Sequence, residues 1–316
     1  MAGSQRVFRA RIKSTQSLGK IFRAMELIAA SRIGRARQSA ARQRPYARAL
    51  TRAVGLAASH VREEIRHPLI SERPEVKRVA MLVLAADRGM AGAYTANLLR
   101  TAEGHAAELA AAGYEIDRYV AGRRAVTYYE FRGVRLVKTW LGESDAPNFA
   151  RAKDMAATLL GAFTAASDMP DAVGELHVVY THFRNMVSQA PRIVRLLPLE
   201  LVEAEEDPDE VIVHQENVLG QESVHEVFPL YSFEPSAAGV LDALLPRYVR
   251  SRIYDCLLQA AASELANRQR AMHTATENAE DLVRNYTRLA NQARQADITQ
   301  EISEIVSGAD AMAASR

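Results

Sequence analysis

Cysteine is almost absent from this chain. Among 316 residues only Cys256 carries a thiol, which excludes an intrachain disulfide and any zinc or iron–sulfur centre built on cysteines. Such scarcity fits a reducing compartment. Long apolar runs are missing as well. The longest, Val79–Ala86, falls far short of the ~18 residues that mark a membrane-spanning helix. Arg6, Arg9, Arg11 and Lys13 are followed by further charges and not by an apolar core, so no secretory signal is expected. At 48% apolar and 25% charged residues, the chain is neither disordered nor collagen-like.

Acid is what the amino end lacks. Residues 1–60 hold 13 Lys or Arg and one acid, Glu26, a charge of +12 that leaves −10 for the remainder. This polarity signals a charged partner: nucleic acid, an anionic membrane surface, or an acidic protein surface.

Both ends read as very long helices. From about Gly3 to Ser59, Leu18, Ile21, Phe22, Met25, Ile28 and Ala29 recur at spacings of three and four, and Ala47, Leu50, Val54, Ala57 and Val61 resume the pattern. Pro45 is expected to bend or break this helix. At the other end Met272, Ala275, Ala279, Leu282, Tyr286, Leu289, Ala293 and Ala296 form a heptad seam, extended upstream by Tyr254, Leu258, Ala261 and Leu265. That helix is expected to start after Pro235-Ser236, to bend near Pro246 and to stop at Ser307-Gly308. Alanine at half of the seam positions implies close approach of the partner helix.

Between the helices the texture changes. Strand candidates Val79–Ala86, Glu115–Val120, Val134–Trp140 and Leu176–Thr181 alternate with helical Thr95–Ala112 and Phe149–Ala166, and Arg192–Pro198 is a further pairing segment. This alternation predicts an α/β unit with a largely parallel sheet. The expected organisation is a first helix over 1–60, an α/β domain over 61–235 that includes an acidic loop at 203–210, and a last helix over 236–316. Neither long helix can bury its apolar face alone, so the two ends are expected to form one antiparallel coiled coil projecting from a globular foot.

Motifs that carry chemistry are scarce. The turn Asp87-Arg88-Gly89-Met90-Ala91-Gly92 follows a strand as a phosphate-binding turn would, yet neither GxGxxG nor GxxxxGKS/T spacing is present. A tight strand-to-helix turn is the simpler reading. His177 and His182 sit at a spacing that suits neither helix nor strand as a metal pair, no GxSxG elbow exists, and Cys256 lies in a helical apolar pattern that suits an inert core thiol. No cofactor and no catalytic group is expected. The basic helix is unlike a bZIP reader, because its apolar seam runs through the basic segment itself. On the residues alone an acidic protein partner, nucleic acid and a membrane surface all stand.

Three blocks resemble the gamma-subunit family of F-type ATP synthases, of bacterial type. They are Ile21–Arg32 (IFRAMELIAASR), Leu84–Gly92 (LAADRGMAG) and Asn291–Ile302 (NQARQADITQEI) with Glu304–Ala309 behind it. The resemblance spans essentially the whole chain and implies an antiparallel coiled coil of both termini plus a Rossmann-like domain without a nucleotide site. It implies a rotor that carries torque from the ion-driven c-ring of Fo to a head of three alpha and three beta subunits, with the epsilon subunit as a further partner. The chain itself is then non-catalytic and binds no nucleic acid. It meets the membrane only through Fo, as a peripheral component on the cytoplasmic side of a bacterial plasma membrane, in keeping with the lack of a transit peptide.

Carried over position by position, the resemblance places Met25, Arg268, Gln295 and Thr299 against the beta subunits. Arg6, Arg9, Lys13, Lys20, Arg23, Arg32 and Arg35 are then expected to form a basic guidance face, and Ile298, Ile302, Ile305 and Met312 a less polar tip. Ala91 stands where the family often has cysteine. Pro246 and the acidic run Glu203–Glu210 lie outside the family pattern, and a spacer is the simpler reading of that run than a regulatory contact. A basic coiled-coil nucleic-acid-binding protein, and an enzyme with a ligand site near Asp87–Gly92, are the rival readings.

Overall fold

In a computed structural model of the chain, residues 2–59, 67–199, 233, 234 and 236–314 are described. The acidic run 203–210 lies outside them. Chain order is α1 (Ala2–Ser59), β1 (Arg78–Leu84), α2 (Tyr94–Ala111), β2 (Glu115–Ala121), α3 (Arg123–Phe131), β3 (Leu136–Trp140), α4 (Phe149–Thr164), β4 (Glu175–Phe183), β5 (Gln189–Leu197) and α5 (Ala237–Ala314). The described residues fall into two compact units, those within 1–31, 90–92 and 267–316 in one and those within 32–89 and 93–266 in the other.

The larger unit is built on a five-stranded sheet in the order β3-β2-β1-β4-β5. β1 pairs in parallel with β2 and β4, β2 in parallel with β3, and β5 closes one edge antiparallel to β4. The apolar run through β1 follows from its place in the middle, since a strand covered on both faces has no polar side to show. Alternate residues feed two cores. Ala80, Leu82 and Leu84 pack with Met155 and Leu159 of α4 and with Val54, Leu241 and Leu245 of the long helices. Met81, Val83 and Ala85 pack on the opposite face with Leu98 and Ala102 of α2 and with Ala125 and Tyr129 of α3. The fold is therefore three-layered and Rossmann-like. α4 begins at Asn148, whose side chain accepts the Arg151 N–H at 2.8 Å, the usual cap for a first-turn donor. Helix α3 is an addition to the sequence expectation.

The smaller unit is an antiparallel pair. Phe8 meets Tyr286 with ring centroids 6.5 Å apart, Gly19 faces Ala279, and Glu26 contacts His273, so α5 numbers fall as α1 numbers rise. On α1 the inward positions are 5, 8, 12, 15, 19, 22, 26 and 29, an unbroken alternation of threes and fours. A Cβ added at Gly19 would lie 3.5 Å from the Ala279 Cβ, which shows how closely the small residues let the helices approach.

Three expectations are corrected. Of the two effects expected of Pro45, a bend or a break, the break does not occur, since α1 runs through it as one helix; a proline in a helix interior costs about 3 kcal/mol, which an element of this length outweighs. α5 does not stop at Ser307-Gly308 but runs on to Ala314. The α5 seam departs from the expectation at two positions. Met272, Ala275, Ala279, Tyr286, Leu289 and Ala293 are buried or half-buried as expected, with Thr276 and Ala290 beside them, but Leu282 is 45% exposed and Ala296 faces out, and Val283 and Asp297 turn inward in their place.

Candidate functional site

Open α/β sheets bind ligands beyond the carboxyl ends of their strands, which here include the neighbouring ends of β1, β2 and β3. Here that place is filled from within. The Asp87 carboxylate accepts N–H bonds from Arg123 at 3.0 Å, Gly142 at 2.9 Å and Ser144 at 3.0 Å, while its own N–H donates to Ser144 Oγ at 2.9 Å. Burial pushes this carboxyl up, but the backbone donors outweigh burial and hold it below the ordinary carboxylate range. Amides that would cradle a phosphate are thus already occupied by a fixed negative charge. Gly122 follows β2 at φ +101°, and a side chain there would collide with the Ala85 carbonyl. The cavity bounded by Tyr94, Gly122, Trp140, Ser144 and Leu257 measures about 20 Å³, room for roughly one water.

Other ionisable groups are also used internally. His105 Nε2 and His177 Nδ1 lie 2.6 Å apart with stacked rings, and His177 Nε2 reaches Glu175 at 2.7 Å. His177 thus pairs with His105, while His182 packs edge-on against Tyr180. Cys256 is buried, and burial pushes its thiol up to about 12. Among the described residues no group of three or more His, Cys, Asp or Glu is placed to hold a metal ion, and no helix is long and apolar enough to cross a membrane.

Surface features are more telling. α1 carries a second apolar stripe beside its inward seam: Leu18 is 46% exposed, Ile21 and Ile28 are each 53% exposed, and half-buried Met25 lies between them. On α5, Leu282, Ile298, Ile302, Ile305 and Val306 are exposed in the same way. The side chain of Met312 lies outside the described residues.

Of the expected contact residues, Gln295 and Thr299 are exposed, with the Thr299 hydroxyl donating to the Gln295 carbonyl at 2.9 Å. Arg268 is only 6% exposed, so its guanidinium belongs mainly to the interior of the chain. Arg6, Arg9, Lys13, Lys20 and Arg35 are exposed on α1. Arg23 is exposed too but engages Glu26 at 3.0 Å, and Arg32 is half-buried in an ion pair with Asp145 of the β3–α4 loop. Neither the Arg32–Asp145 pair nor the Glu26–His273 contact was legible in advance, because each joins residues more than a hundred positions apart.

Comparison with known proteins agrees in one direction. The family profile described as ATP synthase matches residues 4–312. The ATP synthase gamma chain of Beutenbergia cavernae is 60% identical over 315 residues, covering 100% of both chains, and that of Kineococcus radiotolerans is 54% identical over 316 residues, covering 100% of this chain and 99% of the other. Among solved structures, a chain of the OSCP/F1/c-ring assembly of Euglena gracilis mitochondrial ATP synthase superposes with a TM-score of 0.64 at 17% identity, covering 99% of this chain and 95% of that one. A chain from the central stalk and c-ring of Tetrahymena thermophila mitochondrial ATP synthase gives a TM-score of 0.56 at 19% identity, covering 81% and 99%.

Proposed function

The chain belongs to the ATP synthase gamma chain family, and on that premise we propose that it is the central-stalk rotor subunit of the F1 sector, carrying torque between the ion-driven c-ring and the alpha–beta head. Its partners in this reading are the alpha and beta subunits, the epsilon subunit and the c-ring of Fo. Its place is peripheral, on the cytoplasmic side of a bacterial plasma membrane. No chemistry falls to the chain itself, which is in keeping with a strand-end crevice that Asp87 fills and that holds about 20 Å³.

One observation carries the reading. α1 has two apolar stripes at helical spacing, and only one is used by α5. The other, Leu18–Ile21–Met25–Ile28, lies on a helix that also displays Arg6, Arg9, Lys13 and Lys20. An apolar ridge set among cations suits a ring of subunits with acidic loops. Exposed ion pairs contribute about 0–1 kcal/mol each, so many of them guide a turning helix without holding it at one angle. Met25, Gln295 and Thr299 are the contact residues we assign to the beta subunits, with Arg268 as a mostly internal support. Nothing observed favours the nucleic-acid reading.

A pull-down of tagged chain from mild-detergent membranes tests the proposal. Alpha, beta and epsilon subunits with ATP-hydrolysing activity are expected, and deletion of residues 290–316 is expected to abolish that activity. Recovery of nucleic acid without those subunits would overturn it.

A further inference from the structure

Glu26 is the one acid in the first 60 residues, and it is not on the surface. It occupies an inward position of the α1 seam and is 7% exposed. A carboxylate there is costly to bury unless both oxygens are satisfied. Both are: Oε1 accepts from His273 Nδ1 of α5 at 3.0 Å, and Oε2 accepts from Arg23 Nη1 of α1 at 3.0 Å. The far nitrogen of His273 faces Glu277 at 3.4 Å, which anchors the ring on its own helix.

The rest of the local seam explains why such a group is worth its desolvation. Beside it, Gly19 and Ala29 of α1 and Ala279 of α5 are small knobs, set among the larger Phe22, Met272 and Thr276. At those small positions a one-turn slip changes packing little, and larger side chains oppose it only farther along, as where Phe8 meets Tyr286. Close Ala-rich packing therefore gives stiffness against bending but poor resistance to axial slip. A buried polar pair in a coiled-coil seam is satisfied in one register alone, which is the best-attested use of buried polar groups in such seams.

We propose that Glu26 and His273 form a register key that prevents α1 and α5 from sliding past one another when the pair is twisted. Glu26 is thus a positioning residue, acting through His273 on the alignment of the two helices. The proposal deepens the rotor reading and rests on it for its functional half. Its structural half, the register, stands on the isolated chain.

The Gly19–Ala279 approach supplies a direct readout, since a Cβ separation of 3.5 Å is within disulfide range. In the full chain, with Cys256 left in place because it is buried, Gly19→Cys is combined with Ala279→Cys for the native register. It is combined with Thr276→Cys or Val283→Cys for registers displaced by one turn. Oxidation of the parent is expected to link 19 to 279 selectively. Glu26→Ala and His273→Ala are each expected to lower that selectivity about tenfold, the worth of one charge-assisted hydrogen bond. Glu26→Gln, which keeps an acceptor for His273, is expected to retain most of it. His273 is half exposed, so its variant keeps the packing even if Glu26→Ala fails to fold.

In the assembled complex the same two alanine variants are expected to hydrolyse ATP with fewer ions moved per ATP. Unchanged crosslink selectivity in His273→Ala would overturn the key. Altered selectivity with unchanged ion transport per ATP would overturn its link to torque. Native crosslinking in a chain that never joins alpha and beta subunits would overturn the rotor reading and leave the register key standing.

Discussion

At the scale of single residues, the α/β unit spends its reactive groups on holding itself together. Asp87 is the clearest case: three backbone donors converge on one carboxylate at the strand end. Asp87→Ala strands those donors in a half-buried place, so we expect it to destabilise the fold by about 1–3 kcal/mol, with Asp87→Asn costing less. Chemical denaturation of the two variants measures the difference.

A second residue-scale consequence concerns acid. Burial lowers the His177 pKa from its ordinary 6.5; Glu175 opposes that, and His105 and Arg195 add to the lowering. The facing groups are His105 of α2, Glu175 on β4 itself and Arg195 of β5, with Glu108 beyond His105. Because the folded value is the lower one, the folded state binds fewer protons. Its contribution is present above pH ~6.5 and is lost as pH falls toward the folded value. Stability of the wild-type chain should therefore decline below pH ~6.5, and His177→Gln should flatten that decline. Melting scans across pH 5–8 are the check.

At the scale of elements, the two stripes on α1 separate by burial. Ala29 lies in the inward seam and is fully enclosed, whereas Ile21 and Ile28 stand outside it. Ala29→Leu is expected to cost about 1–3 kcal/mol by overpacking. Ile21→Ser with Ile28→Ser is expected to leave the chain's own stability within about 0.5 kcal/mol, as for surface substitutions, while weakening its binding to the alpha–beta head. Thermal melting and titration into that head distinguish the two cases. The reverse pattern would mean that the stripes have been assigned to the wrong sides.

Much of this was legible in sequence, for a reason visible in the elements. Helices of 58 and 78 residues repeat their apolar signal many times. β1 announces itself by an apolar run that only a doubly covered strand tolerates. What stayed hidden depended on the third dimension. The two possible α5 seams share Met272, Ala279, Tyr286 and Ala293, and hydropathy favours Leu282 over Val283 as the companion. The fold turns Val283 inward and leaves Leu282 outside. α3 is short and carries two arginines in its first turn, so its periodicity is masked by charge. Asp87 could be seen as a turn residue, but the amides of Gly142 and Ser144 that it binds come from a loop more than fifty residues away.

At the scale of the whole molecule, charge and packing do different jobs. The +12 amino-terminal segment is spread along a helix whose inward face is already taken. Neutralising Arg6, Arg9, Lys13 and Lys20 together should leave folding unchanged but weaken coupling at low salt and flatten its dependence on salt, because the surface charge that salt screens, over about 10 Å at 0.1 M, is then gone. ATP-driven ion transport measured across a salt series reads this out. If coupling is intact at every salt concentration, the cations serve solubility and not guidance.

The central claim is rotation, and it can be watched. Phe131, 92% exposed at the end of α3, is a site for Phe131→Cys and attachment of a visible probe to the α/β unit. With the alpha–beta head fixed to a surface and ATP supplied, the account predicts that the probe turns in one direction, pausing three times per revolution as a ring of three alpha and three beta subunits requires. A probe that stays still while the head hydrolyses ATP at its full rate would contradict it.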